Sequence, residues 1–391
     1  MAIDTIKFKR GVKSKLNNLS YGEPAYISDE NELYIGTEDG VEKITRNKEV
    51  AELSSQLEHN TNDLISIKNK QRIFKPFFGC NLSFAISWTY EQVESDETMK
   101  QRLQNIKNYG YDGYMLILEV QPNKSQRDGF IDGTIKESDL VFRPFPSIER
   151  VKWIIEEANK VGLKLLGIEV HCIWVKQNWS KFSDLVFSKM DIALLDIINS
   201  NIKCEFINLY NEANTTIFKD TTKHNYVINS LNLVRNAGYK TGIAGHIREG
   251  HKTIPSDLAA ASDIISIHLY PSISNKAINT DINDGIRTFE SHRYVELIEK
   301  LHFKHGKEIW ITESGCQNYF EALSVPEAYY PQGTISDNNF VQCVYHKGML
   351  EVFKNCSYLK GALVFYLDFS KEYPLLKGLY DYYLREDIYN V

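Results

Sequence analysis

From Pro76 onward, short apolar runs alternate with longer stretches whose apolar positions recur at helical spacing. The runs are Phe77 to Leu82, Gly113 to Val120, Lys164 to Val170, Glu205 to Tyr210, Thr241 to Gly245, Ile264 to His268, Ile309 to Thr312 and Gly361 to Tyr366. Each is nearly continuous in its apolarity, the mark of a strand covered on both faces, and such strands are normally parallel. Amphipathic stretches at Ile148 to Val161, Tyr226 to Ala237, His292 to His305 and Asn338 to Phe353 read as the intervening helices. The turns Val161-Gly-Leu-Lys and Ala237-Gly-Tyr-Lys place a glycine where a helix ends before the next strand. Eight such units predict an α/β chain folded as a TIM (β/α)8 barrel. The alternative is a doubly wound open sheet, but no G-x-G-x-x-G follows the first strand and no P-loop is present.

The segment before the barrel has a different grain. Ile6 to Leu16 and Tyr21 to Gly36 carry small alternating runs broken by Gly and Pro, which predict short strands and turns. A module of this size buries little core, so oligomerisation is expected. Val50, Leu53, Leu57, Asn60, Leu64 and Ile67 then follow steps of three and four, the a and d positions of a heptad repeat. This predicts a short coiled coil, with Asn60 as a polar register-setter, although a single helix docked on the barrel has the same spacing. The expected organisation is an attachment module over 1–46, a trimerising coil over 47–71 and a catalytic barrel over 72–391.

Two carboxylates stand out against this frame. Glu212 in Ile207-Asn-Leu-Tyr-Asn-Glu-Ala-Asn214 and Glu313 in Glu308-Ile-Trp-Ile-Thr-Glu-Ser-Gly315 each close an apolar run and are followed by small or polar residues. Both belong at the carboxyl end of a strand, where a barrel assembles its active site. A facing pair of carboxyl groups is what glycoside cleavage needs, one to protonate the leaving oxygen and one to attack or to activate water. Taken singly, either residue is equally a surface carboxylate or a helix cap.

The formal net charge of −6 gives no reason to expect nucleic acid or an anionic membrane as the partner. The six cysteines are widely spaced, without a C-x-x-C pair, and read as reduced thiols. The first residues lack the apolar core of a signal peptide, and no apolar run is long enough to cross a bilayer.

Two resemblances sharpen the picture. Phe8-Lys-Arg-Gly, then Gly22-Glu-Pro, then Asp29 ahead of Glu32-Leu-Tyr-Ile-Gly36, resembles the N-terminal module of bacteriophage tail fibres and tropism determinants. It implies a virion tail location, with this end held by tail or baseplate proteins and the remainder directed at a host. In the barrel, His171 closes the third strand, Asn211-Glu212 follow the fourth, Ile267-His-Leu-Tyr-Pro271 ends the sixth and Glu313 ends the seventh. This resembles the clan of retaining glycoside hydrolases with (β/α)8 barrels often called clan A.

That resemblance implies Glu212 as general acid/base, Glu313 as nucleophile, Asn211 on the sugar 2-hydroxyl, and Tyr270 as a hydrogen-bond donor to Glu313. It also implies that His171 and His268 line the reactive subsite. Trp88, Trp174 and Trp179 fall in expected mouth loops, where they either stack on sugars or pack the loops. The chain departs from the clan pattern in having no arginine in Leu118-Glu-Val-Gln-Pro122, with Arg127 or Arg143 as substitutes brought in by loop folding. It also has no tryptophan in Val364-Phe-Tyr-Leu-Asp368, leaving Phe365 or Tyr366 to floor the subsite.

The expectation is therefore a phage tail-associated retaining glycosidase that acts on a bacterial surface polysaccharide, as a homotrimer, with no cofactor. The rivals are a non-catalytic glycan-binding receptor protein and a metal-dependent barrel hydrolase that uses the histidines and glutamates as ligands. No H-E-x-x-H or comparable spacing supports the latter.

Overall fold

In a computed structural model of the chain, the described residues are 9–11, 19–20, 24–27, 32–43, 77–81, 95–172, 174–175, 185–210, 217–247, 254–273, 281–323, 326, 335, 339–354, 356–365, 369 and 373–383. The chain divides into two compact units, 1–70 and 71–391.

In the first unit, β1 (Lys9–Gly11), β2 (Pro24–Ile27), β3 (Glu32–Thr37) and β4 (Gly40–Lys43) form a sheet in chain order. β1 and β2 are parallel, and the later pairs are antiparallel. Thr37 pairs with Gly40 across a two-residue turn at Glu38-Asp39, the connection that matches strand twist in a hairpin. The described core here is Ala25 and Tyr34, cross-strand partners, with Leu19 against them. The heptad segment lies outside the described residues.

The second unit is the barrel. Its elements run β5 (Phe77–Asn81), α1 (Asp96–Asn108), β6 (Gly113–Gln121), α2 (Lys124–Asp132), β7 (Arg143–Phe145), α3 (Ile148–Lys160), β8 (Lys164–His171), α4 (Leu185–Asn199), β9 (Phe206–Leu209), α5 (His224–Asn236) and β10 (Lys240–Ile247). After these come α6 (Ser256–Ala261), β11 (Ile264–Leu269), α7 (Asp284–Ser291), α8 (Tyr294–His305), β12 (Glu308–Ser314), α9 (Phe340–Lys354), β13 (Leu359–Val364) and α10 (Pro374–Tyr383). The strands pair in the order β5-β13-β12-β11-β10-β9-β8-β6, and β5 also pairs with β6, so the eight parallel strands close on themselves. Closure excludes the open doubly wound sheet, and all eight expected runs are strands of the barrel.

Three features differ from the sequence reading. β7 adds an antiparallel edge to β6, with Gln121 opposite Arg143, and its three residues are too few to show periodicity. The stretch expected as a helix from His292 is α8, and a further helix that the spacing did not single out, α7, ends just before it, with Arg293 between them in the left-handed region at φ 55°. The helices α1, α2, α4, α6, α7 and α10 fall outside the four stretches that the spacing of apolar residues singles out.

Burial explains the continuous apolar runs. Every residue of β6 and of β11 is buried. Outward side chains join the large core between strands and helices. Inward ones form a separate cluster of Met115, Ile117, Leu166, Phe206, Ile264, Trp310 and Leu363. Large inward rings require small neighbours: a Cβ on Gly167 would come within 2.4 Å of the Phe206 ring, and one on Gly361 within 2.3 Å of Trp310. Serine caps fix two helix starts, Ser95 accepting from the Thr98 N–H and Ser147 from that of Arg150. Gly162 and Gly238, both at positive φ, end α3 and α5 as the sequence predicts. No helix among the described residues is long and apolar enough to cross a membrane.

Candidate active site

Toward the carboxyl ends of the strands the lumen turns polar. Side chains two apart on a strand share a face, so Glu169 and His171 on β8 both enter the lumen, as do Ser266 and His268 on β11. Asn208 on β9 lies opposite Glu169, and His246 on β10 opposite His268. Glu119 on β6 is the register partner of His171 and is likewise buried. The mouth thus gathers three glutamates and three histidines among its buried residues.

Glu313 reaches this group through an irregularity. Ser266 pairs with Trp310 and Ile267 with Ile311, but His268 pairs with Glu313, so β12 carries one extra residue. Against β13, Ile311 and Ser314 pair with Ala362 and Val364, the same one-residue excess. Strict alternation from the inward Trp310 would send Thr312 into the lumen and Glu313 toward the helices. The bulge reverses this, the re-aiming that bulges at barrel rims perform.

The contacts form one network. His171 Nε2 lies 2.7 Å from Glu169 Oε1. Ser266 donates to Asn208 Oδ1 at 2.8 Å, which turns the Asn208 amide so that its Nδ2 donates to Glu169 Oε2 at 3.4 Å. His268 Nε2 faces that same Oε2 at 3.5 Å, and its Nδ1 faces Glu313 Oε2 at 3.2 Å. Tyr270 donates to Glu313 Oε2 at 2.9 Å, the hydrogen bond the clan resemblance implies. Tyr270 is itself held by His246, stacked with ring centroids 5.5 Å apart, and by the edge of Phe365 at 6.4 Å.

Burial alone would raise the Glu169 carboxyl, but the charges of His268 and His171 and the hydrogen bond from His171 outweigh it and hold the group well below the usual carboxylate range. An anion fixed at the centre of a lumen is stabilised only while these partners stay in place.

Of the residues the sequence pointed to, the structure brings together His171, His268, Tyr270 and Glu313. Trp174 does not join them: it is buried against Phe130 and Phe142, so it packs the loop core and is not an open stacking face. Phe365 is buried too and braces Tyr270 instead of flooring a subsite. Asn211, Glu212, Trp88, Trp179 and Tyr366 lie outside the described residues. Tyr210, the residue before Asn211, has φ 59°, an uncommon conformation for a bulky side chain and one that concentrates at functional turns. Loop folding does bring an arginine to the second strand's end, since Arg127 Nη1 donates to Gln121 Oε1 at 3.0 Å.

Glu169, Asn208, Ser266, His246 and Glu119 escaped the sequence reading. Their signal was a polar residue inside an otherwise apolar run, as in Leu166-Gly-Ile-Glu-Val-His171, which a search confined to strand ends passes over.

Glu169, His268 and Glu313 together offer ligand atoms within 4.8 Å of one another. The two carboxylates, however, face opposite nitrogens of the His268 ring. A single ion bound through one ring nitrogen would require both to converge on it, so the geometry is that of a charge relay more than of a coordination centre. Among the described residues, Cys204, Cys316, Cys343 and Cys356 are free thiols.

By sequence, no family model matches the chain and no curated protein is similar to it. By structure, it is similar to a GH113 beta-1,4-mannanase solved as a complex, with a TM-score of 0.53 at 16% identity over 79% of this chain and 97% of that one. The GH113 beta-mannanase AaManA from Alicyclobacillus acidocaldarius matches with a TM-score of 0.53 at 12% identity, covering 79% and 96% of the two chains. GH5_18 from Streptomyces cattleya, in complex with GlcNAc, has a TM-score of 0.51 at 13% identity over 78% and 79%. The likeness establishes the class: residues from Phe77 onward are a (β/α)8 barrel of the architecture these glycoside hydrolases share.

Proposed function

We propose that the barrel is a retaining glycoside hydrolase with Glu313 as nucleophile and Glu212 as general acid/base. The observation that carries this reading is Glu313 itself, a buried carboxylate turned into the barrel mouth by a bulge and held by Tyr270 and His268 at 2.9 and 3.2 Å. Donors and positive charge on one oxygen favour the ionised form a nucleophile needs. In the reaction, a Glu313 oxygen bonds to the anomeric carbon as the glycosidic oxygen departs with a proton from Glu212. Water then releases the sugar, giving its proton back to Glu212.

The substrate is a polysaccharide of a bacterial surface or wall, and the mannan-cleaving structural relatives make β-linked hexose polymers the first to try. The sequence of the first 46 residues supports placement of the enzyme on a phage tail, where the heptad segment would join three barrels and each cut would advance the particle through a polymer bound with avidity.

The test is covalent capture. Intact-mass measurement after incubation with cyclophellitol-type epoxides of gluco and manno configuration should show one adduct per chain, mapped to Glu313 and absent from Glu313→Gln. Glycan binding that persists in Glu313→Gln, with no adduct and no product in the native chain, would instead establish a non-catalytic receptor-binding barrel. Loss of turnover in chelator would point to the metal-dependent alternative.

A further inference from the structure

The Glu169 carboxylate has no part in the two-carboxylate reaction, yet it sits at the centre of the polar lumen with none of its surface exposed. A charge there is costly unless it organises its surroundings, and its contacts show what it organises. One oxygen takes His171, and the other faces His268 and Asn208. Asn208 in turn is oriented by Ser266.

His268 is the residue through which this reaches Glu313, because its two ring nitrogens face two different carboxylates. An ionised carboxylate can only accept a hydrogen bond. A neutral imidazole carries one N–H and would set a lone pair against one of the two anions. A doubly protonated ring satisfies both.

Resting on the glycosidase reading, we infer that Glu169 is a positioning residue: it holds His268 as an imidazolium clamped between two carboxylates, so that a fixed positive charge lies against the nucleophile Glu313. Once Glu313 is esterified by the sugar, Glu169 is the remaining anion of the pair, which keeps the cation and its geometry in place for the second step.

The groups that face this cation come from every strand packed around it. They are Glu169 on β8, Glu313 on β12 and His246 as register partner on β10. Beyond these, His171 bears on it through Glu169, and Tyr270 shares the Glu313 oxygen. The histidines oppose a second charge nearby, so the carboxylates must outweigh them.

Ring nitrogen protonation can be read directly by 1H–15N correlation in protein labelled at histidine, with the His268 signals assigned by their loss in His268→Asn. In the native chain the His268 ring should remain doubly protonated above the roughly 6.5 at which a free imidazole titrates. In Glu169→Gln its titration should move down by about one pH unit or more. Glu169→Asp, which keeps the charge, should restore most of the shift.

A neutral His268 ring in the native chain at about pH 7 overturns the proposal, as does a Glu169→Gln titration unchanged from native. If Glu169→Gln does not fold, the native titration decides alone. The measurement needs no substrate, so it is independent of whether Glu313 captures an epoxide. Where turnover is measurable, Glu169→Gln should lower kcat with KM held, since a positioning role acts in the transition state.

Discussion

At the residue scale, the local chemistry of Glu313 is the most informative feature. Its Oε2 receives the Tyr270 hydroxyl and lies 3.2 Å from the His268 ring, so a donor and an imidazole nitrogen converge on one oxygen of a buried carboxylate. A hydrogen bond to a charged group contributes about 1.5–3 kcal/mol, and if it strengthens as charge shifts in the transition state, Tyr270→Phe should lower kcat/KM by about 10- to 150-fold. Stacking of His246 on the tyrosine ring would keep the phenylalanine in place, so thermal stability should change little. Steady-state kinetics beside a melting curve distinguish this loss from misfolding. Sequence alone picked out Glu313 because it closes an apolar run, whereas His268 and Tyr270 were picked out by the resemblance to clan A barrels. Glu169 and Asn208, buried mid-strand, were hidden because an apolar run interrupted by one polar residue has no spacing signature of its own.

At the element scale, what matters is how strands share a narrow lumen. Phe206 and Trp310 meet across it at 4.7 Å between ring centroids, and the inward layer below the polar site depends on them. Gly361 on β13 is the position that admits Trp310, so Gly361→Ala should force the ring or the strand to shift and cost roughly 1–3 kcal/mol as overpacking. Chemical denaturation should report that loss as a lower midpoint with an unchanged slope. A stable Gly361→Ala would mean the lumen has slack that the packing does not show. The strands themselves were legible because continuous apolarity demands burial on both faces. The β12 bulge was not, since a one-residue excess is defined only against the neighbouring strands β11 and β13.

At the scale of the whole molecule, the chain is two units, 1–70 and 71–391. If the heptad of Val50 to Ile67 joins three copies, light scattering of the full chain should give three times the chain mass, and Leu57→Asp should reduce it to one. A single-chain mass for the native protein would rule out the trimer. The sequence by itself determined the barrel, because eight doubly covered strands separated by amphipathic helices have few ways to bury their faces, and it pointed to the strand ends at His171, His268 and Glu313 that the lumen gathers. Only the tertiary structure decided how those ends converge. Closure of the sheet placed β8 and β11 across one lumen, and an extra residue in β12 turned Glu313 inward. Burial placed Trp174 in packing, one of the two roles the sequence left open, and set Phe365 against Tyr270. Each outcome depends on strands distant in sequence, and periodicity along one strand carries no record of its neighbours' register.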